Sequence, residues 1–378
     1  MEDKKLYAIV VVAILAVAAF GTGAYALLSD KNGGSVPGVI TDAAGNEIEV
    51  PDTINTITAA SPSIADIVCY MGYGSKIVAV STSCTHPDIP EGTPTVGSYS
   101  KPDTDGISTA NADVTFIDGS STTAVTTYNT LRAAGMTVVL LYGATDTVDG
   151  IYNNVEIVGT IMKNTSYKET VSSLKEEVSS LKNSTSTASK TITLLSTGLS
   201  TLATDGEGNF TNLDDFTGDG VYIAGKDAAV NSMAASVSNM TTPVSGSGWT
   251  KADTDFLSTS TGDVDLLIVL WTNKSSMPNE SAIGQLIDKM KTTGWANCGA
   301  VDSGNIVFIG GDVGSDLSRV TPYTVYNGLP VLSLYINSGS YSKTQGGQAL
   351  SFSDLPHCVD NTNLSTLVGY TENLPVAA

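Results

Sequence analysis

Residues 56–81, TITAASPSIADIVCYMGYGSKIVAVS, decide the architecture. TITAAS (56–61) is a short apolar strand, Ser63–Met71 carries apolar residues at helical spacing, and KIVAVS (76–81) is a second strand. The rhythm continues downstream with strands VTFID (114–118) and TVVLLY (137–142), and with helical spacing over Thr122–Ala134 and Val148–Met162. Alternation of this kind predicts a parallel sheet with helices on both faces. Upstream, a Gly/Ser linker (Asn32–Ser35) leads into VITDAAGNEIEVP (39–51), which reads as two short strands around a Gly-Asn turn.

A different segment follows, TSYKETVSSLKEEVSSLKNST (165–185). Val171, Leu174, Val178 and Leu181 recur at three and four, and proline and glycine are absent, which predicts one long solvent-exposed helix. A short coiled coil is the alternative, but the pattern lasts too few heptads to favour it. Alternation then resumes with strands TITLLS (191–196), DLLIVLW (265–271) and NIVFIG (305–310), and a helix over Ser281–Thr292, implying a second α/β lobe. Residues 204–262, rich in Gly, Asp, Ser and Thr, resist assignment, and the tail after Ser338 reads as polar loop.

The N-terminus carries an uncharged run from Leu6 to Leu28 behind Lys4 and Lys5, with Asp30 after it. At about 1.5 Å per residue such a run spans a hydrocarbon core of roughly 30 Å, and the flanking charges direct the following chain out of the cytoplasm. The reading is a transmembrane anchor; Ala24-Tyr25-Ala26 also fits a signal-peptidase site, in which case the protein is secreted after cleavage at Ala26.

A net charge of −20 opposes nucleic acid and anionic lipid as partners. Arg132 and Arg319 are the only arginines, so a highly anionic ligand is poorly served. Seven Asn-x-Ser/Thr sequons (Asn164, Asn183, Asn209, Asn239, Asn273, Asn279, Asn363) fit an exported, glycosylated surface. Cys69, Cys84, Cys298 and Cys358 lack the spacing of a zinc site. Cys69, among apolar helix positions, reads as a buried free thiol, whereas Cys298 and Cys358 are the candidate disulfide pair once the second lobe forms. The two histidines, His86 and His357, have no nucleophile elbow, P-loop or metal-spaced partner beside them, which argues against an enzyme and against a resident cofactor.

SPSIADIVCYMGYGSKIVAVSTSC (61–84) resembles the solute-binding proteins of ABC importers for iron complexes, haem and cobalamin. The usual form is Ser-Pro-Ser, an apolar residue, Thr-Glu, a helix ending in Leu-Gly, then Lys-Ile-Val-Gly-Val; here Ala65-Asp66 replaces Thr-Glu and Ala79 replaces glycine. PTVGSYSKPDTDGISTANADVTFID (94–118) and AAGMTVVLLY (133–142) continue the likeness in order, with Asp105 at a Glu position, and GWANCGAVDSGNIVFIG (294–310) resembles the closing segment of the second lobe. The likeness covers roughly residues 38–335 and is patchy between 204 and 262.

The resemblance implies an α/β protein of two Rossmann-like lobes joined by a single long backbone helix and preceded by the transmembrane helix. The organisation expected is an anchor or signal segment (1–28), a linker (29–37), an N-terminal lobe (38–165), the backbone helix (166–189), a C-terminal lobe (190–338) and a polar tail (339–378). It further implies a monomeric, extracytoplasmic binding protein that takes a metal chelate in an interlobe cleft and delivers it to an ABC permease and its ATPase. Loops at the carboxyl ends of the strands would make the contacts. The candidates are Ser63, His86, Tyr99, Ser120, Tyr142, Trp249, Trp271, Arg319 and Tyr323, with Tyr326 a further aromatic, each aromatic being equally suited to core packing. His86 would serve as an axial ligand to the cargo's iron or cobalt. For permease docking the resemblance implies Asp66 on the first lobe and Asp227 on the second, with Asp214 and Asp215 as competitors. The scarcity of arginine favours a neutral or weakly charged cargo, a corrinoid or a hydroxamate-type iron complex, over ferric catecholates. The competing class is an anchored surface or adhesion glycoprotein, although neither tandem repeats nor all-β domains are present.

Overall fold

The computed structural model describes residues 38–143, 147–184, 191–199, 202–246, 248–272, 276–338 and 352–364. The Leu6–Leu28 run lies outside them; among the described residues no helix is long and apolar enough to cross a membrane. The chain divides into two compact units, one of residues 1–142 and 153–168 and one of residues 143–152 and 169–376 apart from the extreme C-terminus.

The first unit opens with β1 (Val39–Thr41) and β2 (Glu47–Glu49), an antiparallel hairpin whose turn needs the positive φ of Gly45 (78°). Its main sheet has four parallel strands, β3 (Ile57–Ala59), β4 (Ile77–Val80), β7 (Val114–Asp118) and β8 (Val138–Leu141), in the order β4-β3-β7-β8. A small hairpin, β5 (Gly97–Ser98) with β6 (Lys101–Pro102), lies between them in sequence. Helix α1 (Pro62–Tyr70) has Ser61 as N-cap and proline at its start, so both sequence signals for a helix beginning coincide. Asp103 caps α2 (Thr104–Ala110) and Ser121 caps α3 (Thr122–Ala133). One sheet face buries Ala60, Ala79, Ile117 and Leu140 against Ile107, Tyr128 and Leu131. Each large apolar side chain so buried contributes about 1.5–3 kcal/mol.

The hairpin is tied to this core by one buried carboxylate. Asp42 accepts hydrogen bonds from the amides of Ala44 (3.0 Å), Asn46 (3.0 Å) and Leu140 (3.1 Å) and from the Tyr128 hydroxyl (2.5 Å). Arg132 donates to the Tyr128 oxygen at 2.9 Å and lies 4.0 Å from Asp42. One of the two arginines is therefore engaged in holding the fold together.

Helix α4 (Val148–Ile161) and the 18-residue α5 (Tyr167–Ser184) follow. Along α5 Leu174 and Leu181 are buried, Val171 and Val178 half-buried, and Glu169, Lys175, Glu176 and Lys182 exposed, so the predicted helix is present with its apolar stripe partly covered.

The second unit is built on a seven-stranded sheet. Its central strands, β9 (Thr191–Thr197), β13 (Leu266–Trp271) and β14 (Ile306–Gly310), are parallel, as the alternation predicts. The stretch left unassigned from sequence contains β10 (Tyr222–Ala224), α6 (Ala229–Ser236), β11 (Met240–Thr241), β12 (Trp249–Lys251) and α7 (Thr254–Ser260). β10 runs antiparallel to β9, and β12 antiparallel to β10 at the sheet edge, so the lobe is mixed rather than wholly parallel. Helices α8 (Glu280–Met290) and α9 (Gly299–Ser303) lead to β14, and α10 (Gly311–Leu317) and α11 (Leu329–Ile336) come after it. The tail read as loop contributes β15 (Cys358–Val359), which pairs in parallel with β14. Ile283, Leu286, Trp295, Val301 and Phe308 fill the core of this unit.

Candidate functional site

In the first sheet the chain passes from β3 to β4 on one side and then returns to place β7 on the other side of β3. Loops leaving the carboxyl ends of β3 and β7 therefore diverge, and such a reversal of strand order opens a crevice suited to ligands. Asp118, at the end of β7, stands at this reversal and is 4% exposed. It accepts hydrogen bonds from the Ser61 hydroxyl (3.3 Å), the Ser120 amide (2.8 Å) and the Ser120 hydroxyl. Desolvation pushes its carboxyl above the ordinary range, opposed by the two serines. Ser61 also caps α1, and Ser121, next to Ser120, caps α3.

Ser121 donates to the carbonyl of Ser100 at 2.9 Å, which ties the β5–β6 turn to the same edge. Tyr99, at the tip of that turn, is 47% exposed. Gly97 at its base has φ of 82°, and a Cβ there would meet the Lys101 oxygen at 2.6 Å, so the turn needs glycine. Tyr142, half-buried at the end of β8, is fixed through its backbone: its N–H donates to Asn154 Oδ1 (2.8 Å) and its carbonyl accepts from Asn154 Nδ2 (2.9 Å). Ser63, in the first turn of α1, is half-buried. The fold thus places Ser63 in the first turn of α1 and Tyr99, Ser120 and Tyr142 on turns and strand ends of the same unit.

His86 is arranged differently. Its Nδ1 accepts the Asp88 amide at 3.2 Å, which assigns the ring proton of the neutral form to Nε2 and leaves no lone pair there for a metal. Axial ligation would require that bond to break.

In the second unit the candidates separate. Trp271 is 2% exposed, packs edge-on against Phe210 (6.0 Å) and Phe308 (5.5 Å), and donates its indole N–H to the Ser276 carbonyl at 2.9 Å. It is a core residue, contrary to the ligand contact expected from its position at a strand end. Trp249 is 39% exposed, and the β10–β12 register puts it on the same face as Tyr222, 48% exposed, and Lys251. Tyr222 escaped sequence reading because its strand did. Arg319, Tyr323 and Tyr326 are half-buried around a π-helical turn (Thr324–Gly328). That turn is anchored by buried Asp316, which accepts from Asn327 Nδ2 at 2.7 Å.

Asp66 is 5% exposed, and a carboxylate so buried is not presented to a partner, which speaks against the docking role. Asp227, Asp214 and Asp215 are exposed. All four cysteines are free thiols. The bridge expected between Cys298 and Cys358 is absent because each sulfur faces another group: Cys298 bonds the Thr261 side chain and Cys358 donates to the Pro278 carbonyl at 2.8 Å. Burial, with nearby Asp88 and Asp66, pushes the Cys69 thiol up to about 12, as befits an unreactive core residue. Among the described residues no cluster of His, Cys, Asp or Glu could hold a metal ion.

The sequence profile of the periplasmic binding protein family matches residues 57–313, from β3 through the start of α10 and so across both sheets. This chain belongs to that family. Its members are binding components of transport and not enzymes. The fold agrees. A periplasmic solute-binding protein from Veillonella parvula is similar at TM-score 0.58 with 18% identity, over 89% of this chain and 94% of that one. The periplasmic heme-binding protein RhuT from Roseiflexus sp. RS-1, in apo form, is similar at TM-score 0.57 with 17% identity, over 76% of this chain and all of that one. The periplasmic vitamin B12 binding protein BtuF of Vibrio cholerae is similar at TM-score 0.55 with 14% identity, over 75% and 96%. No curated protein matches the sequence.

Proposed function

We propose that this periplasmic binding protein is the extracytoplasmic substrate-binding component of an ABC importer, and that its cargo is a metal chelate. The observation that carries the reading is the family match across residues 57–313. In support, structural relatives include proteins named for haem and for vitamin B12. The ligand contacts put forward are Tyr99, Ser63, Ser120 and Tyr142 on the first lobe and, on the second, Trp249 of edge strand β12 with Arg319 and Tyr323 around the π-helical turn.

The side chains on offer favour a neutral or weakly charged cargo, a corrinoid or a neutral ferric hydroxamate. Arg132 is engaged with Tyr128 and Asp42, and Arg319 is the only other arginine in the chain, so a highly anionic cargo is poorly served. The rest of the first unit's edge offers hydroxyls and rings, which suit a large polar ligand with greasy faces. Delivery to a permease follows from the family; Asp227, exposed on the loop after β10, is the docking carboxylate put forward on the second lobe.

Thermal unfolding against cobalamin, cobinamide, ferric hydroxamate, ferric catecholate and haem tests this. A cargo at 100 times its dissociation constant should add about 2.7 kcal/mol to the folded state. A shift with the corrinoid or hydroxamate and none with the catecholate is the expected result. A shift with the catecholate alone would overturn the charge argument, and no shift with any of them would overturn the chelate reading.

A further inference from the structure

Strand register in the second unit brings a tyrosine and a lysine to the carboxyl edge of its sheet. β9, β13 and β14 are parallel, and Leu270 of β13 pairs with Thr197, the last residue of β9. Ile223 of the antiparallel β10 stands opposite Ser196, so Tyr222, one residue earlier, falls level with Thr197. Lys251 of β12 is in turn opposite Tyr222. Thr197, Tyr222 and Lys251 thus form one row across the edge at which open α/β sheets receive their ligands. Trp249 lies two residues before Lys251 and opposite Ala224, on the same face of the sheet as Tyr222.

Ile223, pointing to the other face, is 1% exposed, whereas Tyr222 is 48% and Trp249 39% exposed, and Lys251 is exposed with them. Side chains directly opposite across such a pair have Cβ atoms about 4.5–5.5 Å apart, and diagonal neighbours about 7–8 Å, within reach of large rings. Lys76, Lys163 and Lys289 each donate to a backbone carbonyl, but among the described residues the Lys251 ammonium has neither an acceptor nor a carboxylate partner. The nearby Asp253 is occupied at the start of α7, where it accepts the Phe256 amide at 2.8 Å. An edge-strand lysine also serves to discourage pairing with another sheet, yet two exposed rings beside it make that edge adhesive, which works against such a role.

We propose that Tyr222, Trp249 and Lys251 form a subsite of the second unit for one anionic group on the rim of the cargo, of phosphodiester type. The proposal rests on the chelate-binding reading and sharpens it: the cargo is a large chelate carrying a single such arm. The rings take the apolar rim and the ammonium takes the phosphate oxygens. Lysine meets an anion as a point charge and needs no planar match, whereas bidentate capture of carboxylates is the province of arginine. A chain of net charge −20 repels a multiply charged ligand, and one lysine meets one charge.

Calorimetric titration of the purified protein with cobalamin, cobinamide and a neutral ferric hydroxamate tests the subsite. The two corrinoids share a ring and a metal, but cobalamin carries a phosphodiester-linked arm that cobinamide lacks. The expected result is that cobalamin binds about tenfold more tightly than cobinamide, and that raising the ionic strength narrows the gap. Lys251→Gln should weaken cobalamin about tenfold, leave cobinamide unchanged and leave the melting temperature of the free protein where it was, while Lys251→Arg should retain the preference. Tyr222→Ala should weaken both corrinoids. Equal or tighter binding of cobinamide, an unchanged cobalamin affinity in Lys251→Gln, or binding of the hydroxamate with neither corrinoid would each overturn the subsite and leave the chelate reading standing. Binding of none of the three would overturn both.

Discussion

The carboxyl ends of the two central sheets are finished in opposite ways. In the first unit the strand ends carry Ser61, Asp118 and Ser120, a small polar knot whose Ser61 caps α1 and whose neighbour Ser121 caps α3. In the second unit the end of β13 is closed by Trp271 wedged against Phe210 and Phe308, and the exposed aromatics lie instead on the edge strands β10 and β12. One sheet offers polar loops and the other a sealed aromatic plug with its accessible rings displaced to the side. The same parallel core therefore supports two chemically distinct surfaces, and a strand-end residue can belong to either category.

Replacement of Trp271 by Ala should have the largest effect, a loss of about 3–5 kcal/mol from cavity creation. A drop in ligand affinity with unchanged melting would instead make Trp271 a ligand contact and erase the contrast. Asp42→Ala comes next: three amides and the Tyr128 hydroxyl lose their acceptor, and urea unfolding should show destabilisation of about 2–3 kcal/mol. Preservation of the midpoint would mean that the hairpin contributes little to the first unit.

Asp118→Asn sharpens the comparison through pH. Burial raises the carboxyl of Asp118 in the folded state, so folding favours its protonated form. Its contribution to stability is fully present below the unfolded value of 3.8 and is lost as pH rises through the folded value. At neutral pH the buried carboxylate therefore opposes folding relative to a neutral side chain. The Asn variant should equal or exceed the native protein in melting temperature at pH 7, and the difference should shrink as pH falls toward 4. A variant less stable at pH 7 would show that the hydrogen bonds from Ser61 and Ser120 outweigh desolvation. The smallest effect on stability is expected for Trp249→Ala, within about 0.5 kcal/mol because the ring is on an exposed edge strand. If the ring touches cargo, affinity should fall about tenfold, and equal affinity would remove it from the second lobe's contacts.

Sequence and structure agree where pattern is local. The βαβ run at 56–81, the hairpin at 39–51 and the helix at 165–185 were legible because apolar period, caps and turn residues lie within a few positions of one another. The β10–β12 edge was not, since both strands are three residues long and all of β12 is exposed, which leaves no alternation to detect. Asp118 and Trp271 were visible only as strand ends. What decides their roles is distant in sequence: Ser61 stands 57 residues before Asp118, and Phe210 reaches Trp271 from a loop preceding β10. The burial of Asp66 and the separate partners of Cys298 and Cys358 are tertiary facts of the same kind.

The most direct test of the binding reading is equilibrium dialysis of the purified protein against a corrinoid and a neutral ferric hydroxamate, with bound cobalt and iron measured per chain. The account predicts that one of the two metals is retained at one equivalent, and that Tyr99→Ala lowers the retention. Retention of neither at saturating chelate, by protein that unfolds cooperatively, would contradict it.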